Sequence, residues 1–274
     1  GLSRVLWPTY DLAEIIDRIN TQKTGLKRIC IQTIRYEKST EDLIEIIKQF
    51  SESKISTPLT VCCYPTSKEI FLKMKNFGVT RVGISFDCAT PEIYNEIKGN
   101  KRGSEISWKM MEKSIQEAVE IFGKRFVSTH LIIGLGETER EAIQFLQKFS
   151  DQNITVGLFA FTPVKGTPLE KHPQPDIESY RRIQLARYLI NAGKTTFSKI
   201  TFSKKVEQRD QVLDFGVKKE ELEKIISYGK PFRTSGCPHC NRPFYNESPG
   251  KDMYNFPSEL TEEDIAVVRK SFFI

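Results

Sequence analysis

The feature that most constrains the fold is a repeated alternation of short apolar segments with longer amphipathic ones. Apolar runs typical of strands, such as Leu59 to Tyr64 and Phe126 to Ile133, are each followed by a segment with helical periodicity. Strands that are largely apolar, without a polar residue at every second position, are buried on both faces, and the intervening helices cover those faces. The alternation therefore predicts an α/β chain built on a parallel sheet.

The predicted elements follow one another over nearly the whole chain. Strands are predicted at residues 28–34, 59–64, 80–86, 126–133, 155–162 and 198–202, and helices at 12–19, 41–50, 68–77, 107–122, 139–149, 177–191, 208–215, 219–227 and 261–270. Six strands fit a partial, open (β/α) barrel of the TIM-like kind as well as a closed one, and residues 3–7 resemble the end of a loop after a missing first strand.

The composition changes near Lys230, where Gly, Pro, Asn, Cys and aromatic residues replace helical periodicity. We therefore expect two parts: a barrel over residues 1–229, and a C-terminal extension over residues 230–274 that contains a cysteine loop and packs on the barrel.

Composition also excludes several classes of protein. No apolar run approaches the roughly 20 residues of a membrane helix, and the first ten residues contain no export signal. The net charge of +6 comes from Lys and Arg interleaved with Glu and Asp, which is typical of a solvated surface rather than a nucleic-acid interface. Six cysteines without an export signal favour reduced thiols or metal ligands. We expect a cytoplasmic protein that contacts neither membrane nor nucleic acid.

Ligands of parallel α/β sheets bind at the carboxyl ends of the strands, which directs attention to two segments. Asp87 directly follows a predicted strand, and its carboxylate could accept two hydrogen bonds from a ribose diol. Capping of a helix that begins at Pro91 explains Asp87 equally well. Gly134 and Gly136 follow another strand and leave backbone that a flat ring could approach, although such glycine turns are more often structural.

Together these segments resemble the radical S-adenosylmethionine superfamily, and within it biotin synthase and lipoyl synthase. The resemblance rests on Asp87 with Thr90 to Tyr94, on Gly134 to Thr138, and on Val164 to Leu169, and it runs from about Lys27 to Thr201. It implies a partial barrel that binds S-adenosylmethionine on a [4Fe–4S] cluster. That family cleaves S-adenosylmethionine reductively to a 5′-deoxyadenosyl radical, which removes hydrogen from an unactivated C–H bond.

The resemblance also implies roles for single residues. Asp87 should bind the ribose, Ser85 should face the same pocket, and the adenine should lie along the backbone of Ile133, Gly134, Leu135, Gly136 and Glu137. The family's Cys-x-x-x-Cys-x-x-Cys motif does not occur in this sequence. We expect its place to lie before Gly1 in a longer protein, with loss of radical chemistry as the alternative. No catalytic side chain is assigned.

Biotin synthases hold a second cluster inside the barrel, and the resemblance maps part of that site onto this chain. Cys30 and Cys62 match two of its cysteines, whereas Ser128 stands at the third and Lys199 at the basic ligand. A hydroxyl replaces a thiolate poorly, so an identical [2Fe–2S] cluster is not expected.

Cys237 and Cys240 form a Cys-x-x-Cys pair, and with Cys30 and Cys62 they would supply four thiolates to an auxiliary iron–sulfur cluster. A structural zinc site is as common for a single such pair. Cys63 and Cys88 are expected to be buried apolar side chains, and His130 and His172 to be structural.

The tail around Cys237 resembles the ending of biotin-synthase-like proteins from archaea and anaerobes, some of which form two-protein lipoyl synthases. This implies a sulfur-inserting radical enzyme acting on an octanoylated carrier domain or a small molecule such as dethiobiotin. Its partners would be an electron donor such as ferredoxin or flavodoxin, and a second radical subunit. The alternatives are other radical chemistry with a structural metal site, and a cluster-less scaffold or partner subunit.

Overall fold

The computed structural model describes residues 7–22, 25–53, 55–204, 210–242, 246–247 and 252–272. Strands and helices alternate through most of this length. The elements are α1 (Leu12–Thr21), β1 (Ile29–Gln32), α2 (Ser39–Glu52), β2 (Leu59–Cys63), α3 (Lys68–Asn76), β3 (Val79–Ile84), α4 (Pro91–Ile97), α5 (Trp108–Phe122), β4 (Val127–Ile133), α6 (Glu139–Asp151), β5 (Thr155–Ala160), α7 (Ile177–Asn191), β6 (Thr201–Phe202), β7 (Val212–Asp214), α8 (Lys219–Tyr228) and α9 (Glu262–Arg269).

Strands β1 to β5 form one parallel sheet in sequence order, and this sheet curls into a half-barrel. Apolar side chains on its outer face, such as Val61, Val82 and Leu131, are fully buried in the main core with helices α2 to α6. The predicted partial barrel is therefore confirmed.

The inner face of the half-barrel differs sharply from the outer one. Most of the residues that alternate with the buried apolar positions are polar or small, and pairing aligns Cys62 with Gly83 and Gly83 with Ser128 across three strands. Because side chains alternate between the faces of a strand, this whole row points into the barrel. The interior is lined with groups suited to binding rather than to close apolar packing.

The sixth predicted strand does not join this sheet. Residues Phe197–Lys199 form a 3₁₀ turn, and β6 pairs antiparallel with β7, where sequence periodicity predicted a helix over residues 208–215. That prediction is wrong for the described residues 210–215, and residues 208–209 lie outside the described part. Long-range contacts determine the strand, because the Val212 N–H donates to the buried Glu139 carboxylate at 2.8 Å and Phe215 packs in a second core with α7 and α8.

Helix α4 resolves the alternative role of Asp87. The Thr90 side chain accepts a hydrogen bond from the Ile93 N–H at 3.3 Å, and Pro91 occupies the first helical position. Thr90 therefore caps the helix, and the Asp87 carboxylate is available for another purpose.

The C-terminal extension contacts both edge strands of the half-barrel. Along β5, the Leu158 N–H donates to the Ser235 hydroxyl at 2.7 Å, and the Asn246 amide donates to the Ala160 carbonyl at 2.6 Å. At β1, the Arg242 guanidinium donates to the Gln32 side chain at 2.7 Å. The extension thus spans the open side between β5 and β1. In the described part of the chain, no helix is both long and apolar enough to cross a membrane.

Candidate functional site

A cavity of about 370 Å³ opens at the carboxyl ends of the strands. Polar side chains from the ends of β1 and β3, from β4, from the end of α4 and from the extension meet there: Gln32, Ser85, Asp87, Lys98, His130 and Asn246 are among those that line it. This is the edge at which parallel α/β folds bind ligands. Of the predicted nucleoside-binding residues, the structure brings Ser85 and Asp87 to this cavity.

Asp87 is fixed by both its backbone and its side chain. It adopts φ 66°, its N–H donates to the His130 carbonyl, and its own carbonyl accepts from the Ile132 N–H, both at 2.9 Å. Its carboxylate lies 2.6 Å from the Lys98 ammonium, which also donates to the Ser85 carbonyl. Burial disfavours the charged form of Lys98, but the charge and hydrogen bond of Asp87 outweigh burial and raise the pKa of Lys98. The carboxylate is thus held in the wall of the cavity as part of an ion pair.

His130 belongs to this site, although its place on a strand suggested a structural residue. Its Nδ1 lies 2.8 Å from the Ser85 hydroxyl, and its ring packs edge-on against Phe159 at a centroid distance of 4.9 Å. Burial lowers the pKa of His130. A neutral imidazole and a hydroxyl therefore face the cavity beside Asp87. The available sequence signal was the alternation that turns His130 to the same side as Ser128.

The loop from Ile133 to Glu137 lies beside the cavity, but none of these residues is among the described ones that line it. Ile133 and Leu135 are buried in the main core. The Glu137 carboxylate accepts hydrogen bonds from the N–H groups of Gly134, at 2.6 Å, and Leu135, at 3.1 Å. Burial raises the pKa of Glu137, although these hydrogen bonds act in the opposite direction.

Backbone conformation and close contacts with the loop before α7 explain why residue 134 is a glycine. Its φ is 102°, which disfavours other residues, and an added Cβ would lie 2.9 Å from Pro175. His172 Nε2 lies 2.7 Å from the Gly134 carbonyl, so His172 supports the turn, as expected of a structural residue.

A second cavity, of about 450 Å³, lies at β1 and the cysteine loop of the extension. Its lining includes Arg28, Cys30, Gln32, Cys237, Cys240 and Arg242, and Gln32 also lines the first cavity. The two cavities therefore adjoin along the inner face of β1. Below, the first is called the nucleoside cavity, after the ligand that the sequence predicts for it, and the second is called the cysteine cavity.

The thiols of Cys30 and Cys62 are hydrogen-bonded to each other. This bond lowers the pKa of Cys30 to about 7, against the effect of burial and with help from Gln32, Arg242 and Arg28. The same bond and burial raise the pKa of Cys62, and the charge of Cys237 raises it further. Thiol and thiolate are therefore about equally populated at Cys30 in neutral solution, and the thiolate is the form of cysteine that binds metals.

The predicted ligand set is thus brought together in part. Cys30 and Cys62 touch, Cys237 interacts electrostatically with Cys62, and Cys240 lies against Gly236 in the cysteine cavity. Among the described residues, no three His, Cys, Asp or Glu side chains are grouped closely enough to hold one metal ion.

The two other residues matched to the biotin synthase site, Ser128 and Lys199, have clear positions. Ser128 lies on the inner face, and the missing side chain of Gly83 leaves space between its hydroxyl and the Cys62 thiol. Lys199 instead lies exposed on the turn before β6, packed against Gly216, because β6 leaves the barrel. Cys88 is fully buried, as predicted. Cys63, which was expected to be a buried apolar side chain, lines the nucleoside cavity, and burial raises its pKa to about 12.

Comparisons with known proteins agree with this geometry. Residues 4–149 match the sequence profile of the Radical SAM superfamily. A biotin synthase from Sulfurihydrogenibium is 27% identical over 58% of this chain and 47% of its own length. An uncharacterized protein of Methanocaldococcus jannaschii is 22% identical over 63% of this chain and 44% of its own length. The chain therefore spans about half the length of the curated relatives that it matches.

Solved structures show the same fold at low sequence identity. Methylornithine synthase superposes with a TM-score of 0.53 and 15% identity over 70% of this chain and 56% of that chain. The Elp3 protein of Methanocaldococcus infernus without its N-terminus superposes with a TM-score of 0.51 and 18% identity over 84% of this chain and 60% of that chain.

The superfamily uses S-adenosylmethionine and a [4Fe–4S] cluster. This chain has side chains suited to the nucleoside of the first but no motif for the second. The nucleoside cavity offers the Asp87 carboxylate and the Ser85 hydroxyl to a ribose. The cluster motif Cys-x-x-x-Cys-x-x-Cys is not found among the 274 residues, so none of them is assigned to the radical-generating cluster. Because the superfamily profile covers more than half of the chain and its half-barrel has the corresponding fold, this chain belongs to the radical SAM superfamily.

Proposed function

We propose that this chain is the barrel of a radical S-adenosylmethionine enzyme that inserts sulfur at unactivated C–H bonds. The first candidate substrate is an octanoyl chain on a carrier domain, and the second is a small molecule of the dethiobiotin type. One observation carries the proposal: Cys30 and Cys62 touch inside the barrel, beside the cysteine loop of the extension and next to the nucleoside cavity.

S-adenosylmethionine, when bound to its cluster, supplies a 5′-deoxyadenosyl radical. The residues of this chain would bind and orient the nucleoside. Asp87 would accept hydrogen bonds from the ribose hydroxyls, while its ion pair with Lys98 holds the carboxylate in place. His130 and Ser85 would complete the polar wall beside it, and Phe159 would exclude water on one side. Orientation of the reacting carbon, more than acid–base chemistry, would then determine the product.

The same proposal assigns Cys30, Cys62, Cys237 and Cys240 to an auxiliary iron–sulfur cluster that donates sulfur. Four thiolates are the usual ligands of a [4Fe–4S] cluster, which is wider than a single ion. The low pKa of Cys30 and the arginines nearby support binding of such an anionic group. The sequence similarity to a biotin synthase also favours sulfur chemistry. An electron donor such as ferredoxin or flavodoxin, and a second radical subunit, are the proposed partners.

A second candidate function is radical chemistry without sulfur transfer, in which Cys237 and Cys240 hold a structural metal. The observation in its favour is that these cysteines lie on one short loop, where the Cys240 N–H donates to the Cys237 carbonyl at 3.0 Å. A single Cys-x-x-Cys pair on a tight loop is typical of zinc sites. This candidate does not require Cys30 or Cys62.

Anaerobic reconstitution of the chain with iron and sulfide separates the two candidates. Sulfur insertion predicts about four irons and four sulfides per chain. Both should be lost in a Cys30→Ala, Cys62→Ala double variant and in a Cys237→Ala, Cys240→Ala double variant. A Cys88→Ala variant is the control, because Cys88 is buried in the main core outside both cavities. Stoichiometric zinc that depends only on Cys237 and Cys240 would contradict sulfur insertion and favour the structural site.

A further inference from the structure

Two arginines lie at the amino-terminal end of the barrel interior, beyond the cysteines. Arg28 precedes β1 and lines the cysteine cavity, and its Nη1 donates to the hydroxyls of Thr60 and Thr80, each at 3.0 Å. Thr60 is the register partner of Arg81 on β3. Arg81 thus pairs with Thr60 in the sheet and lies close enough to sense the charge of Arg28, and the hydrogen bonds of Arg28 in the described part of the chain go to neutral acceptors. These three residues are called the barrel floor below.

No Asp or Glu among the described residues pairs with either guanidinium, and the opposite charges that act on them are those of the Cys30 and Cys237 thiols. Arg81 is only 6% exposed, and its guanidinium lies over the ring of Phe126, 5.6 Å from the ring centroid. The Nε atoms of Arg28 and Arg81 are both buried without a hydrogen-bond partner among the described residues. Burial lowers the pKa of Arg81, and the charge of Arg28 acts in the same direction. A buried guanidinium that lacks a carboxylate partner and leaves its Nε unpaired is destabilising, so this arrangement can accept a further anion.

The side chains that face the barrel floor do not supply a carboxylate. The described lining of the cysteine cavity consists of Arg28, Cys30 and Gln32 from the β1 region and of residues 237–242 from the extension, which include neither Asp nor Glu. The group that raises the pKa of Arg81 is Cys237. Positive charge thus exceeds negative charge at the floor, next to a cavity with room for a ligand.

We propose that the barrel floor binds a small inorganic anion, with Arg28 and Arg81 as its charged ligands. Thr60 holds Arg28 in place, and the anion supplies a further counter-charge. The anion enters by the cysteine cavity, at the end of the barrel opposite the nucleoside cavity. The binding site does not depend on the proposed function, but the identity of the anion does. In a sulfur-inserting enzyme it would be hydrosulfide, which would serve, with no change in oxidation state, as a source of sulfide for the auxiliary cluster proposed at Cys30 and Cys62.

The test is thermal unfolding of the metal-free chain in anaerobic buffer, titrated with sodium hydrosulfide or with sodium sulfate at constant ionic strength. We expect a saturable rise in Tm. Arg81→Met should weaken the apparent affinity about tenfold or more, because a charge-assisted contact is lost. It should also raise the Tm of the anion-free protein, because it removes a buried charge that lacks a carboxylate partner. Arg125→Met is the control: Arg125 is exposed near the same end of the barrel, and its removal should leave affinity unchanged.

Saturation by hydrosulfide rather than sulfate would identify a sulfur anion, and the reverse would identify an oxyanion; both uphold the site. A rise in Tm that does not saturate and is equal in wild type, Arg81→Met and Arg125→Met is a general salt effect and overturns the proposal. If Arg81→Met fails to fold, Arg28→Gln carries the same prediction, since Arg28 lines the cavity directly. Iron is absent from this experiment, so failure of cluster assembly and failure of anion binding remain distinguishable.

Discussion

At the scale of single residues, Asp87 combines an unusual backbone conformation with a paired charge. A positive φ costs a residue other than glycine about 1–3 kcal/mol, although Asp and Asn tolerate it better than most. Here the hydrogen bonds of Asp87 to β4 and its ion pair with Lys98 keep that conformation in place. The effect is to turn a carboxylate into the nucleoside cavity from the end of β3.

Asp87→Asn tests the role of this carboxylate. Asn adopts the same backbone conformation and has nearly the same size, so the fold should persist. Loss of the charge should weaken binding of S-adenosylmethionine about 10- to 100-fold, because hydrogen bonds to charged groups are the stronger ones. Isothermal titration calorimetry measures the affinity. Asp214→Asn, on β7 and outside the cavity, should bind like wild type. Equal affinities of wild type and Asp87→Asn would remove Asp87 from the site.

Two residues of the nucleoside cavity show where sequence reasoning falls short at this scale. Asp87 and Ser85 could be found because they follow or end a strand. Lys98 could not, because it follows α4 and reaches Asp87 only through the fold of the intervening loop. His130 was visible as a strand residue on the face of Ser128, but its contact with Ser85 joins strands that are far apart in sequence. Contacts between elements, unlike their periodicity, are not encoded locally.

At the scale of elements, the segments with strong local periodicity were predictable. Helix α7 has the predicted bounds, and β1 to β5 lie within two residues of most predicted ends. β7 was not predictable, because its pairing with β6 and its contact with Glu139 join residues far apart in sequence. The same holds for the C-terminal extension. Its loop composition was evident, but its contacts with β5 and β1 were not.

The contact between the C-terminal extension and β5, called the seam below, can be tested by a substitution of Ser235. Its hydroxyl is the acceptor for the buried Leu158 N–H, at 2.7 Å. Ser235→Ala leaves that N–H unpaired, which should cost about 1–3 kcal/mol and loosen the seam. Hydrogen–deuterium exchange of the Leu158 amide should therefore accelerate about tenfold or more. Ser198→Ala, in the exposed turn before β6, is the matched control. Unchanged exchange at Leu158 would show that the extension does not secure β5.

At the scale of the whole molecule, helix α6 joins two hydrophobic cores. Phe145 belongs to the main core of the half-barrel, and Ile143 belongs to the second core with α7, α8 and β7. The link is also electrostatic, because the Glu139 carboxylate pairs with the Arg182 guanidinium at 2.7 Å, and both are nearly fully buried. The half-barrel and the C-terminal elements should therefore unfold together.

Glu139 and Arg182 allow that coupling to be measured. Removing one partner of a buried ion pair leaves an uncompensated charge, so Glu139→Gln and Arg182→Met should each lower the free energy of unfolding by about 3–5 kcal/mol. The double variant should lose much less than the sum, because no buried charge is left alone. Glu120→Gln, which breaks an exposed pair with Lys68, should cost less than about 1 kcal/mol. Urea unfolding followed by circular dichroism measures all four variants. Additive losses in the double variant, or two separate transitions in the wild type, would mean that the pair does not join the two cores.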